Sequence, residues 1–175
     1  CPFCTAYCIP AGTYPGQDAD VTTVTVKATL IVDAAASEDD VYEVVKKLKD
    51  AWNIGEDGIL SVTDLLESKN IKVVEIKADS SFDGLSGYVN NDENMPFVVV
   101  NKSFDVERLR FTSLHELGHL VMNLPEEMEK KEKERLCHLF ASEMLISRDT
   151  FVDVLGEWRS DISLQELKVL QAVYG

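Results

Sequence analysis

His115-Glu116-Leu117-Gly118-His119 is the feature that most restricts what this 175-residue chain can become. Residues four apart on a helix lie on one face, so two imidazoles at this spacing can grip one metal ion only if the stretch is helical. A catalytic zinc site also needs a third protein ligand and an open position for water. That third ligand has to come from another element. The motif therefore demands a helix, a partner segment facing it and a pocket between them. In such a site His115 and His119 are zinc ligands. Glu116 is the general base, taking a proton from a zinc-acidified water that attacks a peptide carbonyl and passing it to the leaving amine.

The plain alternative is an ordinary helix on which two histidines fall at this spacing by chance, one of them making a core hydrogen bond. The neighbours favour the metal. Leu114, Leu117, Val121 and Met122 supply apolar packing around the motif. Gly118 costs ~1 kcal/mol relative to Ala inside a helix, and close approach of another segment beside the metal would repay it.

The segment after Leu124-Pro125 offers Glu127, Glu129, Glu132, Glu134, His138 and Glu143 as further ligands. At about 100° per residue, Glu134 lies in line with His138 and Ala141, beside the apolar stripe Cys137, Ala141, Met144 and Leu145. Glu143 is turned about 180° from it and Glu132 about 160°. Glu127 shares the face but follows the Pro125 break too closely to swing back. Glu134 is the best third ligand. His138, one turn on, either orients the carboxylate or bonds substrate, or is a plain structural histidine.

The rest of the chain frames this site. One domain with a real core fits the length, and 45% apolar with 27% charged residues is a globular composition. A formal net charge of -14 argues against direct nucleic-acid binding or an anionic membrane surface, and suits a basic partner. No stretch approaches the roughly 20 apolar residues of a membrane span. Cys1, Cys4 and Cys8 could form a disulfide or hold a soft metal, but the fourth cysteine, Cys137, lies on a helix face. Near-terminal thiols without a shared role are the simpler reading.

Hydrophobic period and capping residues predict loop over 1–20, a strand over 21–33, and a helix over 38–52 capped by Ser37. A second helix near 61–69 and a strand over 71–78 follow. Strands at 86–90 and 97–101, joined by a turn with Asn91, Asp92 and Asn94, predict a β-hairpin. Helices are expected over 106–123, 126–146, 149–158 and 163–173. The hairpin could pair with an extended peptide, though ordinary sheet packing explains it equally well. Tyr88 could reach a developing oxyanion, or simply pack.

RLRFTSLHELGHLVM followed by ERLCHLFASEMLI resembles the ImmA/IrrE-type metallopeptidases. KDAWNIGEDGILSVTDLLESKNIKVVEI, FDGLSGYVNN and ISLQELKVLQAVYG match their opening helix and strand, hairpin and C-terminal helix, so the likeness covers about residues 49–175. It implies an α+β, zincin-like fold with a small β-sheet packed on the active-site helix. It also implies zinc held at His115, His119 and Glu134, and catalysis by Glu116. Members cut or inactivate a helix-turn-helix repressor, so a cytoplasmic anti-repressor endopeptidase is expected. This sequence departs from the pattern in having Ile146-Ser147 where Met-Pro or Leu-Pro is usual, and His138 where Asn is usual. Members commonly continue beyond the final Tyr-Gly into another helical segment.

Residues 1–48 differ. IPAGTYPGQDADVTTVTVKATLIVDAAASEDDVYEVVKKL resembles the C-terminal part of a TAXI-type solute receptor of TRAP transporters, which are periplasmic. A receptor needs two full lobes to form its cleft, so this segment is not expected to bind solute alone. Its helix would double as the opening helix of the peptidase domain, with the join near Leu48. The competing functions are a zinc-binding regulator that acts on a partner without proteolysis, and a solute-binding fragment.

Overall fold

The computed structural model describes residues 33–89 and 95–175. The expected strand over 21–33 lies almost wholly outside the described residues, as do Cys1, Cys4, Cys8 and the turn residues Asn91, Asp92 and Asn94. The described chain is mixed α+β with two small sheets.

A short strand β1 (Asp33–Ala34) leads into α1 (Glu38–Trp52), which starts where Ser37 and Asp40 form a reciprocal capping box. Val41, Val44, Val45, Leu48 and Trp52 recur at helical spacing, and this buried stripe packs on a later helix, α4 (Lys130–Leu145). Asn53, with φ of 54°, closes α1 in the left-handed conformation. Ser61 then caps the short α2 (Val62–Ser68).

The larger sheet has the order β2 (Lys72–Ile76), β4 (Pro96–Asn101), β3 (Gly84–Tyr88). β2 runs parallel to β4, and β3 and β4 form the antiparallel hairpin that the sequence predicts, with Ser86 opposite Val98. Val98 and Val100 are fully buried on one face of β4, and both β3 and β4 pack against α3 (Val106–Val121). Asn101 anchors this arrangement. Its buried side chain donates to the carbonyls of Ala78, Asp79 and Phe82 and accepts from the amides of Ala78 and Ser103, fixing the segment that leads into β3.

α3 and α4 are shorter than the sequence predicts, and the helix expected over 149–158 ends at Leu155. α3 stops at Val121 instead of 123, because β5 (Met122–Asn123) turns extended and pairs in parallel with β1. α4 begins at Lys130 instead of 126. After Pro125, Met128 bonds back to the Pro125 carbonyl in a turn, and Glu129 caps the helix backbone without a side-chain bond. α5 (Arg148–Leu155) ends at Gly156, whose φ of 91° no side chain readily adopts, and α6 (Leu164–Tyr174) opens on a Ser163–Glu166 capping box.

Candidate metal centre

α3 and α4 pack with their apolar faces together, and Gly118 lies at the contact. A Cβ there would lie 3.1 Å from Cδ1 of Phe140 and 3.4 Å from Cε of Met122, so the glycine admits the fully buried Phe140 ring. This is the close approach that Gly118 calls for in the sequence. It brings Glu134 of α4 over the two histidines of α3.

His115 Nε2 and His119 Nε2 are 3.2 Å apart. Glu134 Oε2 lies 3.2 Å from the first and 3.8 Å from the second. The three side chains are the one group among the described residues whose ligand atoms all converge within 4.8 Å of one another. Four-coordinate zinc with bonds of about 2.0–2.1 Å has ligand-to-ligand edges of about 3.3–3.4 Å, so the spacing fits a small divalent ion. The donor set, two imidazoles and a carboxylate, suits zinc in chemistry as well.

Burial, the histidine neighbours and Glu134 decide the protonation of this cluster. Burial above all, and then the His119 and His138 charges, hold His115 down to about 4 against the pull of Glu134. Burial likewise lowers His119, with Glu134 opposing. Both rings are therefore neutral near pH 7 and have a lone pair to give a metal. Nδ1 of His115 is buried with no hydrogen-bond partner among the described residues. Nδ1 of His119 sits 3.4 Å from the sulfur of Cys137. Burial, and then the carboxylates of Glu134 and Glu116, push the Cys137 thiol far above its ordinary value, so it stays protonated.

Glu116 is buried beside the cluster, 7% exposed. Burial raises its carboxyl to about 7 and the charge of Glu134 adds to that. A hydrogen bond from Ser86 Oγ to Glu116 Oε2, 2.8 Å long, works in the opposite direction. A carboxylate poised near neutral pH, adjacent to three converging ligands, is placed to accept and return a proton.

The other sequence candidates fall nearby in different ways. His138 is exposed on α4. Its ring stacks on Phe111 at 5.7 Å and tilts against His115 at 4.6 Å between centroids, flanking the ligand ring. The hydroxyl of Tyr88 donates to the carbonyl of Leu120 at 3.3 Å. Glu132 is engaged by Arg135, and Glu143 accepts from the amide of Arg148, so neither joins the three converging ligand atoms. Ser86 is absent from the sequence candidates, and Cys137 figures there only as part of an apolar helix face. The one signal for Ser86 is the alternation of small residues in Gly84-Leu85-Ser86-Gly87, which lets a strand lie close to a helix. Cys137 carries no signal beyond its place three residues after Glu134.

Residues 1–56 match the model of the NMT1-like family, and residues 66–175 match that of the IrrE N-terminal-like domain, a peptidase family. Among curated proteins, none matches the chain. α1 lies inside the first match, yet its buried face packs on α4, which carries Glu134. No helix of the described residues is long and apolar enough to cross a membrane. With the larger match spanning well over half of its length and taking in all three converging ligands, the chain belongs to the IrrE N-terminal-like family.

Proposed function

We propose that this chain is a zinc-dependent endopeptidase. The observation that carries the reading is the convergence of His115, His119 and Glu134 beside the buried carboxylate of Glu116. His115 and His119 bind through Nε2 and Glu134 through its carboxylate. A bound zinc ion supplies Lewis-acid polarisation of a carbonyl and acidifies a water. Glu116 takes one proton from the attacking water at its carboxylate. As the C–N bond of the substrate breaks, the same carboxyl returns that proton to the departing nitrogen.

An extended peptide suits this site. Among the described residues β3 pairs with β4 on one edge, and an extended peptide added along the other edge would lie next to α3. The substrate we propose is a helix-turn-helix repressor, whose loss would relieve repression. Two things support it: the ImmA/IrrE resemblance, and a net charge of -14 that would attract a basic DNA-binding domain.

The test is cleavage of a purified helix-turn-helix repressor, with metal content measured in parallel. Glu116→Gln is expected to keep its metal and lose at least about 100-fold in rate. Glu134→Ala is expected to lose the metal. A Glu116→Gln variant that relieves repression as well as the parent would leave the metal-holding regulator as the correct reading.

A further inference from the structure

Gly84, Ser86 and Tyr88 alternate along β3, with Gly84 opposite Val100 and Ser86 opposite Val98, the two residues buried beneath α3. Each of the three meets that helix at a different level. A Cβ on Gly84 would lie 2.8 Å from Cγ2 of Thr112 and 3.3 Å from Cγ of Glu116, so the bare glycine lets the strand rest on the helix beside the base. Two residues on, Ser86 Oγ donates to Glu116 Oε2 at 2.8 Å. Tyr88 then ties to the Leu120 carbonyl. Asn101 fixes the segment entering this strand from the other side.

A glutamate has several rotatable bonds, and among the described residues the hydrogen bond to the Glu116 carboxylate comes from the strand across from it and not from its own helix. Resting on the peptidase reading above, we propose that Ser86 is the positioning residue for Glu116. Its hydroxyl holds one carboxylate oxygen and leaves the other to accept the proton. With an extended peptide added to the same strand, substrate docking and base orientation would share one element. A peptide that pairs with β3 would meet a base whose angle that strand has set.

Three variants of the full chain test this: Ser86→Ala, Ser86→Thr and Gly84→Ala. They are assayed on a fluorescence-quenched peptide chosen from a mixed library by its cleavage with the parent. Ser86→Ala is expected to lower kcat about 10- to 100-fold, with KM within about twofold and bound zinc unchanged. Ser86→Thr, which keeps a hydroxyl, restores most of the rate. Gly84→Ala pushes the strand off the helix and reproduces the kcat loss. Independently of activity, urea midpoints of Ser86→Ala, Glu116→Ala and the double variant should be non-additive.

The proposal is overturned if Ser86→Ala turns over like the parent, if its loss lies in KM or in bound zinc, if threonine rescues nothing, or if the midpoints add. A parent that binds zinc but cleaves neither a library peptide nor a purified helix-turn-helix repressor defeats the peptidase reading itself, and the positioning role with it. A parent that cleaves while Ser86→Ala is unaffected defeats the positioning role alone.

Discussion

Nδ1 of His119 lies 3.4 Å from the sulfur of Cys137, so the ring nitrogen facing away from the metal cluster has a partner on the same helix as Glu134. For Nε2 to offer a lone pair to a metal, the neutral ring must carry its proton on Nδ1. The thiol sulfur is where that N–H points.

Replacing Cys137 with valine keeps a small apolar side chain in this buried site, about one methyl group larger, and removes the acceptor. Zinc affinity, measured by competition with a chromophoric chelator, is expected to fall about 10-fold, while Cys137→Ser, which can still accept, stays near the parent. Equal affinities for the valine and parent chains would show that the sulfur contributes packing only.

The metal-free chain carries two opposed pH dependences. His115 is held at about 4, below its ordinary 6.5. The unfolded chain therefore binds more protons there, and this contribution to stability is lost as pH falls from 6.5 towards 4. Glu116 is raised from 4.5 to about 7. There the folded chain binds more protons, and stability is lost as pH rises through that window. Glu116→Gln removes only the second effect. With chelator present, the variant's urea midpoint relative to the parent should be higher at pH 7 than at pH 5. A constant difference would mean that burial does not perturb Glu116.

α1 should behave as part of the peptidase core although it falls within the NMT1-like match. Leu48 is 1% exposed on the face that meets α4. Leu48→Ala is expected to cost about 2–5 kcal/mol in denaturant unfolding. Far-ultraviolet circular dichroism and the fluorescence of buried Trp52, read with Trp158 replaced by phenylalanine, should report one shared transition. If Trp52 loosens at lower denaturant than the bulk of the helices, α1 is an appended segment.

Much of the site could be read from the sequence because helical geometry is local. Four-residue spacing puts His115 and His119 on one face, and the angle between Glu134 and its neighbours on α4 sends that carboxylate inward while Glu132 and Glu143 turn away. The cap at Ser37 likewise sits where short-range hydrogen bonding requires it. Residues 126–129 and the last two residues expected in α3 are not helical, for the converse reason. Pro125 permits a turn that propensity alone does not reveal, and Met122–Asn123 is extended because Asp33–Ala34, far away in sequence, pairs with it.

By itself, then, the sequence singled out His115, Glu116, His119 and Glu134 and most of the elements that carry them, since helical period puts the first three on one helix and turns Glu134 towards them. Only the tertiary structure decided what holds those groups in place. Ser86 reaches Glu116 across thirty residues of sequence, Cys137 reaches His119 across eighteen, and Phe140 fills the space left by Gly118. A serine, a cysteine and a phenylalanine carry no periodic mark of such roles. Their partners are chosen by how the strand and the two helices pack.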